Sequence, residues 1–428
     1  MFSPHLSPIT FLTAAIPGTG GTLKERPEDF LVEEIPAYEP TGSGEHLYML
    51  IERRDMATLH MMRIIADHFG VKPMAVGVAG LKDKRAVTRQ LVSVHIPGKK
   101  PADFPALQHE SLTVHWTDLH ANKLRRGHLK GNRFIIRIRG VAPAAVVHAH
   151  RVLTVLAARG VPNRVGPQRF GHTQRNHEVG RAMILGDHQR VLDLILGPCP
   201  EFPLVQARSR ELYAAGDLEG ALASMPRNAH TEVRLLRSLI RAGKDKGAKR
   251  AVYAIEAPER SFLVTAFQSA IFNAVLSRRL AEGTFDRLLD GDVAFKHENG
   301  AVFAIGAAEL QDESVRERLL RGEISPTGPM WGAGMMTAGG AVGEAEAAAL
   351  AESGITLEQL AAYIRAARIE VEGVRRPLRV PLSYPDVEGG MDEHGPYIKC
   401  RFELPRGSFA TVVMDEIMKT GQSMEEDV

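Results

Sequence analysis

The spacing of apolar residues changes along this chain, and the changes divide it. Phe30 and Val32 begin an alternating run, and residues 46–52 repeat it after the turn signal Gly42-Ser43-Gly44, so both are predicted strands. Leu59, Met62, Ile65, Ala66 and Phe69 then recur at helical spacing, with Asp55 as cap and Gly70 as stop. Two β-prone runs, 76–81 and 91–96, flank a polar stretch and end at Pro97-Gly98, which reads as strand, tight turn and strand. Residues 133–139 are two-sided: Phe134, Ile136 and Ile138 share one face, Arg133, Arg137 and Arg139 the other. The stripe Val146, Ala149, Leu153 and Leu156 predicts a helix over 143–159, stopped by Gly160.

Beyond the hinge-like loop 161–171 the texture turns helical as far as Arg376. Amphipathic runs at 231–241, 262–280, 343–353 and 357–371 predict helices, and the Gly- and Met-rich 328–340 a long loop. Strand character returns at 378–382 and 397–404, followed by a helix with Ser408 placed as its N-cap. Sheet, helix and sheet in that order predict an α+β sheet domain split by an insert, with the two outer segments meeting in space.

Charge alters this picture locally. The chain of 428 residues carries a net charge of only +2, so affinity for a polyanion has to come from clustering. Residues 123–139 hold seven Lys or Arg and no acid, and 241–250 hold five cations against one acid. The strand at 133–139 is equally readable as a charge-protected sheet edge or as a surface facing RNA. Asp83 stands among Lys82, Lys84, Arg85 and Arg89, and opposite charges favour an ionised acid. A solvated turn and a reactive carboxylate on a phosphate-attracting surface both fit that pattern.

Other classes find little support. Cys199 and Cys400 are too few for a disulfide framework and lack zinc-ligand spacing, so a reducing cytosol is the simplest compartment. No run is long and apolar enough to span a bilayer. Pro4, Pro8 and Pro17, with no cation before Lys24, do not make a signal or transit peptide. His172, His177 and His188 fit no zinc pattern. A glycoside hydrolase pairing Asp83 with Glu28 or Asp29 is conceivable, although the cationic setting suits it poorly.

Five segments in order narrow the choice: Arg26-Pro27-Glu28-Asp29-Phe30, residues 79–88 around Asp83, Leu129-Lys130-Gly131-Asn132-Arg133-Phe134, Val161-Pro162-Asn163 with Gln168-Arg169-Phe170-Gly171, and Gly407-Ser408-Phe409-Ala410-Thr411. Together they resemble the TruD family of pseudouridine synthases, whose bacterial members modify uridine 13 of tRNA. Gln268-Ser269-Ala270-Ile271-Phe272-Asn273 is similar to a helix of the family's inserted domain. The resemblance implies a pseudouridine-synthase catalytic domain, mainly antiparallel, from 1–159 and 382–428, interrupted by a helix-rich TRUD domain at 160–381. It implies Asp83 as the catalytic aspartate, Lys24 as its basic partner, and Phe30, Asn132 and Phe409 as substrate contacts. Phe134 takes a place where related synthases usually have tyrosine. RNA, tRNA foremost, is the implied partner, with no membrane and no obligate protein partner. The isomerisation needs no metal or organic cofactor. The chain departs from the family at Arg164-Val165 and in a long stretch, 172–260.

Overall fold

The computed structural model describes residues 9–242 and 247–420. Pro4, Pro8, Lys244 and Lys246, which entered the reading above, lie outside the described residues. The chain forms two compact units: Phe11–Val161 with the chain from Val380 onward, and Pro162–Arg379 with Ile9 and Thr10.

The first unit is built on one large sheet. Its elements are β1 (Phe30–Pro36), β2 (His46–Arg54), α1 (Thr58–Phe69), β3 (Val76–Val78), β4 (Val87–His95), β5 (Leu112–His120), β6 (Leu129–Arg139) and α2 (Val146–Arg159). The second unit contains α3 (Asn176–Leu185), α4 (Ala257–Ala281), β7 (Val293–Lys296), β8 (Val302–Ala304), β9 (Ile324–Met330), α5 (Gly340–Glu352), α6 (Leu357–Ala367) and β10 (Val374–Pro377), besides further helices between α3 and α4 and between β8 and β9. The chain then returns with β11 (Ser383–Asp392), β12 (Gly395–Pro405) and α7 (Ala410–Met418). The large sheet runs β11-β12-β6-β1-β4-β2-β5, with β3 paired to β4. Every pair in it is antiparallel except β1 with β4. The second unit carries its own sheet, β10-β9-β7-β8, packed with helices.

Alternation decides the two faces of the large sheet. On β1, Phe30, Val32 and Glu34 point inward, while Leu31 and Glu33 take the other face. Phe134 and Phe402 lie opposite each other across β6 and β12 and join Phe30, Val32, α2 and α7 in one apolar cluster. A second cluster holds α1 against Val76, Val78, Val92 and Val94. Strand β6 needs Gly131: a Cβ there would lie 2.2 Å from the Leu404 carbonyl oxygen.

The structure differs from the sequence expectations at several points. Strand β6 is central, between β12 and β1, so the reading of 133–139 as a sheet edge is corrected. Helix α1 starts at Thr58 with Ala57 as N-cap, and Asp55 supplies no cap. Its buried residues are Thr58, Met61, Ile65, Ala66 and Phe69, while Leu59 is exposed. Ile65, Ala66 and Phe69 fit both stripes, and Met61 is buried against the cluster of Val76, Val78, Val92 and Val94. Ser408 does not cap α7; Phe409 is the N-cap, without a side-chain bond. The 328–340 segment is a loop only after β9 ends at Met330. The long Asp83 loop, residues 79–86, replaces the predicted tight turn. Cys199 and Cys400 are buried free thiols, and burial pushes Cys400 up to about 12. Among the described residues no helix is long and apolar enough to cross a membrane.

The outer segments of the chain do meet. The Glu416 carboxylate on α7 accepts from the Leu12 and Thr13 amides at 2.7 and 3.0 Å and from the Thr13 hydroxyl at 2.6 Å. Thr19 and Gly20 donate to the carbonyls of Ile417 and Met418. Glu416→Ala removes the carboxylate that accepts from Leu12 and Thr13 and leaves the buried Thr13 amide without it, so it is expected to destabilise the first unit by roughly 2 kcal/mol. Denaturant unfolding checks this; an unchanged midpoint would show that the N-terminal segment is held without Glu416.

Candidate active site

The Asp83 loop crosses the inward face of the large sheet and is fastened there by buried charge. Lys82 Nζ meets Glu34 Oε2 at 2.7 Å and donates to Asn132 Oδ1 at 2.9 Å. Glu34 Oε1 also accepts from the Leu91 amide at 3.3 Å. One ammonium thus ties the loop to β1, β6 and, through Glu34, β4. Burial pushes the Glu34 carboxyl up, and the Lys82 charge opposes that.

A second buried cation holds the loop from β2. The Arg53 side chain, wholly inaccessible, donates from Nη2 to the Lys82 carbonyl at 2.8 Å, the Asp83 carbonyl at 3.2 Å and Thr58 Oγ1 at 3.1 Å. Thr58 Oγ1 in turn accepts from the Lys82 amide at 3.1 Å. Burial pushes the guanidinium down to about 10, partly offset by the Asp83 charge. Its own Nη1 and two neighbouring atoms, Gln90 Nε2 and Thr88 Oγ1, are buried with no hydrogen-bond partner among the described residues.

The backbone is pinned while the Asp83 side chain stays reachable, at 24% exposure. Its Oδ2 pairs with Lys24 Nζ at 3.2 Å, and Lys24 is 7% exposed. That ammonium also lies 4.5 Å from the centroid of the Phe30 ring. Lys24 has φ 55, in the left-handed region that non-glycine residues seldom occupy. Phe30 meets Phe134 edge-on at 6.4 Å, and Phe134 meets Phe402 at 5.7 Å.

The expected site residues therefore fall into two groups. Asp83, Lys24, Asn132, Phe30 and Phe134 are joined by contacts on one face. Within that group Phe30 and Phe134 are core residues, at 1% and 7% exposure, and Phe30 also supports Lys24. Phe409 stands apart from those contacts as an exposed ring at the start of α7. Arg53, Glu34 and Thr58 were not foreseen. Their signal was a polar residue at an inward position: Glu34 after Phe30 and Val32, Arg53 after Leu47, Met49 and Ile51.

The expected ring of cations is corrected. Lys82 is turned inward on Glu34, and Arg89 pairs with Glu52 at 2.6 Å and Glu33 at 2.7 Å. Lys84 and Arg85 remain exposed. On β6, Arg133 pairs with Glu403 and Glu33, while Arg139 is buried on Asp29 at 2.6 Å. These arginines alternate with Phe134 along β6, so they lie on the opposite face from the site. The glycoside hydrolase pair fails too: Asp29 is wholly buried on Arg139, and Glu28 pairs with Arg54 and Arg26. Among the described residues no three His, Cys, Asp or Glu side chains group as a metal site.

This fold and loop have relatives. The model of the family tRNA pseudouridine synthase D (TruD) matches residues 8–417. The chain belongs to the TruD family of tRNA pseudouridine synthases. It is 42% identical to tRNA pseudouridine synthase D of Geobacter sp. (strain M21) over 411 residues, covering 96% of this chain and 99% of the relative. With the protein of that name from Thermus thermophilus the identity is 37%, over 98% of this chain and 94% of the relative. A crystal structure of a Methanosarcina mazei protein assigned to tRNA pseudouridine synthase D superposes with TM-score 0.84 at 28% identity, covering 98% of both chains.

At Arg164-Val165, where a departure from the family is expected from the sequence, the residues of this TruD chain are packed against α4. The Val165 amide and carbonyl exchange hydrogen bonds with the Asn273 side chain at 2.9 and 3.0 Å, and Arg164 donates to Ser277 Oγ at 3.2 Å. Both partners lie on α4, within the second unit.

Arg53→Met removes the donor shared by two loop carbonyls without touching the Asp83 side chain. A displacement of about 1 Å at a reacting group lowers rates roughly 100-fold. The variant is expected to lose about that in single-turnover pseudouridine formation while RNA affinity stays within about two-fold, with Arg53→Lys recovering part. A rate unchanged in Arg53→Met would mean that Lys82 and Glu34 alone position the loop.

Proposed function

We propose that the protein isomerises a uridine of tRNA, at position 13, to pseudouridine, with Asp83 as the reacting carboxylate. The observation that carries the reading is the Asp83 arrangement itself: a reachable carboxylate on a buried lysine, on a loop fixed from four strands, in a TruD chain.

The residues suit the chemistry. The N1–C1′ bond breaks, uracil turns, C5 bonds to C1′, N1 gains a proton and C5 loses one. No electrons are transferred overall. Asp83 either adds to C1′ or removes a sugar proton as uracil departs. Lys24 orients the carboxylate, and Phe30 supports Lys24. Phe134 has no hydroxyl to act on the C5 proton, which passes to water, to Asp83 or to another group of the site. The Asn132 amide carries a donor and an acceptor suited to a uracil edge. Exposed Phe409 offers a ring on which the extruded base can stack, worth ~1–3 kcal/mol. The cytoplasm is where we place the reaction.

The test uses tRNA from a strain lacking its own enzyme, with pseudouridine mapped by chemical adduct and reverse-transcription stops. The intact protein is expected to create a stop at position 13. Asp83→Asn is expected to lower formation on the order of 10³-fold or more while binding persists. No new stop anywhere would overturn the reading, and full activity in Asp83→Asn would remove Asp83 from it. Affinity is also expected to fall steeply with salt, because exposed Lys and Arg hold phosphates. Salt-independent binding would contradict a phosphate-held substrate.

A further inference from the structure

The turn between β5 and β6 is strongly basic. It carries Lys123, Arg125 and Arg126, with Lys130 just beyond, and residues 121–130 contain no acid. Arg125, Arg126 and Lys130 are exposed, unlike the arginines of β6 that carboxylates occupy. Beside this turn opens a cavity of about 510 Å³, lined by Tyr38, His120, His128, Lys123 and Arg125, with Glu39 as its acid.

The rings of this cavity are held in place. Tyr38 stacks on His120 at 5.2 Å with planes 27° apart and meets His128 edge-on at 5.7 Å. Its hydroxyl lies 2.8 Å from His128 Nδ1 and 3.3 Å from the Tyr48 hydroxyl. The Tyr48 hydroxyl is bound again, donating to the Asn122 carbonyl at 3.0 Å. Tyr38 and His128 are nevertheless only half-buried. Fixed aromatic faces beside cations, in a cavity of small-molecule size, suit a planar base with its phosphate.

The turn is also tied to the Asp83 loop. The Gly127 amide donates to the Ala79 carbonyl at 2.8 Å, and Arg406 donates to the Gly127 carbonyl at 2.9 Å. Leu129, next to His128, and Asn132 are three residues apart on β6, roughly 10 Å. Tyr48 shares the sheet face of Glu52, opposite the face of Arg53, which holds the Lys82 and Asp83 carbonyls, while Ala79 at the start of the loop packs with Tyr48. A nucleotide in the cavity is therefore a different one from a nucleotide at Asp83.

We propose that this cavity is a second nucleotide subsite, which takes the base and phosphate of an unpaired residue of the same RNA. The proposal rests on the reading of the protein as an RNA-modifying enzyme. It places part of substrate affinity, and part of substrate choice, away from the reacting carboxylate.

The full-length chain carrying Asp83→Asn serves as background, so that binding is read without turnover. The probe is a tRNA transcript, with 4-thiouridine in place of uridine for photocrosslinking. Tyr38→Leu is expected to weaken binding roughly ten-fold, whereas Tyr38→Phe keeps the ring and stays near the parent. Arg125→Ala, an exposed change that leaves the fold intact, is expected to reduce the slope of log affinity against log salt by about 1. Crosslinks are expected in peptides containing Tyr38 or residues 120–128. Parental affinity and slope in both Tyr38→Leu and Arg125→Ala, or crosslinks confined to the Asp83 face, would overturn the subsite and leave the enzymatic reading standing. Failure of the parent chain to bind the tRNA would overturn both.

Discussion

The buried contact between Lys82 and Glu34 is the constraint on which the site depends. Removing two charges from water costs several kcal/mol per ion, and only close geometry with further hydrogen bonds offsets it. The extra bonds here are Asn132 on Lys82 and the Leu91 amide on Glu34. Each comes from a different strand, so the pair is satisfied only when β1, β4 and β6 are in register. The neighbouring residue, Asp83, inherits its position from that requirement. Arg53 adds β2 through the carbonyls of Lys82 and Asp83. A loop of eight residues, which by itself would sample many conformations, is thereby specified by the sheet beneath it.

The same sheet keeps two kinds of charge on its two faces. Inward, cations hold backbone and side chains around one reachable carboxylate. Outward, Arg89, Glu33, Arg133, Glu52 and Glu403 form a lattice of alternating sign across five strands. Exposed pairs of this kind contribute little individually, typically under about 1 kcal/mol. Their larger consequence is to neutralise charge that would otherwise face a polyanion. The cations left over for phosphate are those in loops and turns, such as Arg85, Arg125 and Arg126, which no ladder constrains, with exposed Lys130 at the start of β6.

Legibility from sequence followed the range of each interaction. Alternation on β1, β2, β6 and β12 was visible because period two is a local property, and the insert showed as a change of period. Two positions of the α1 stripe were read one residue off because Leu59 and Met62 match helical spacing as well as Thr58 and Met61 do; packing against Val76 and Val92 decides between them. The fates of the charges were illegible. Lys82 lies 48 residues from Glu34, and Arg133 lies 270 residues from Glu403. No local pattern announces such a partner. The juxtaposition of Lys24 with Asp83 came from resemblance and not from spacing, since 59 residues separate them.

Lys24 shows what the site demands of the backbone. A non-glycine residue in the left-handed region costs of order 1–3 kcal/mol and persists where its surroundings over-determine it. The Asp83 carboxylate at 3.2 Å and the Phe30 ring at 4.5 Å are among the contacts that do so here. An extended backbone at this point would carry the side chain away from both. The strain thus belongs to the residue that touches the reachable carboxylate, while the loop bearing that carboxylate is held by buried pairs. The fold separates the two tasks, fixing Asp83 through its backbone and orienting it through Lys24, so that the carboxylate is positioned without being enclosed.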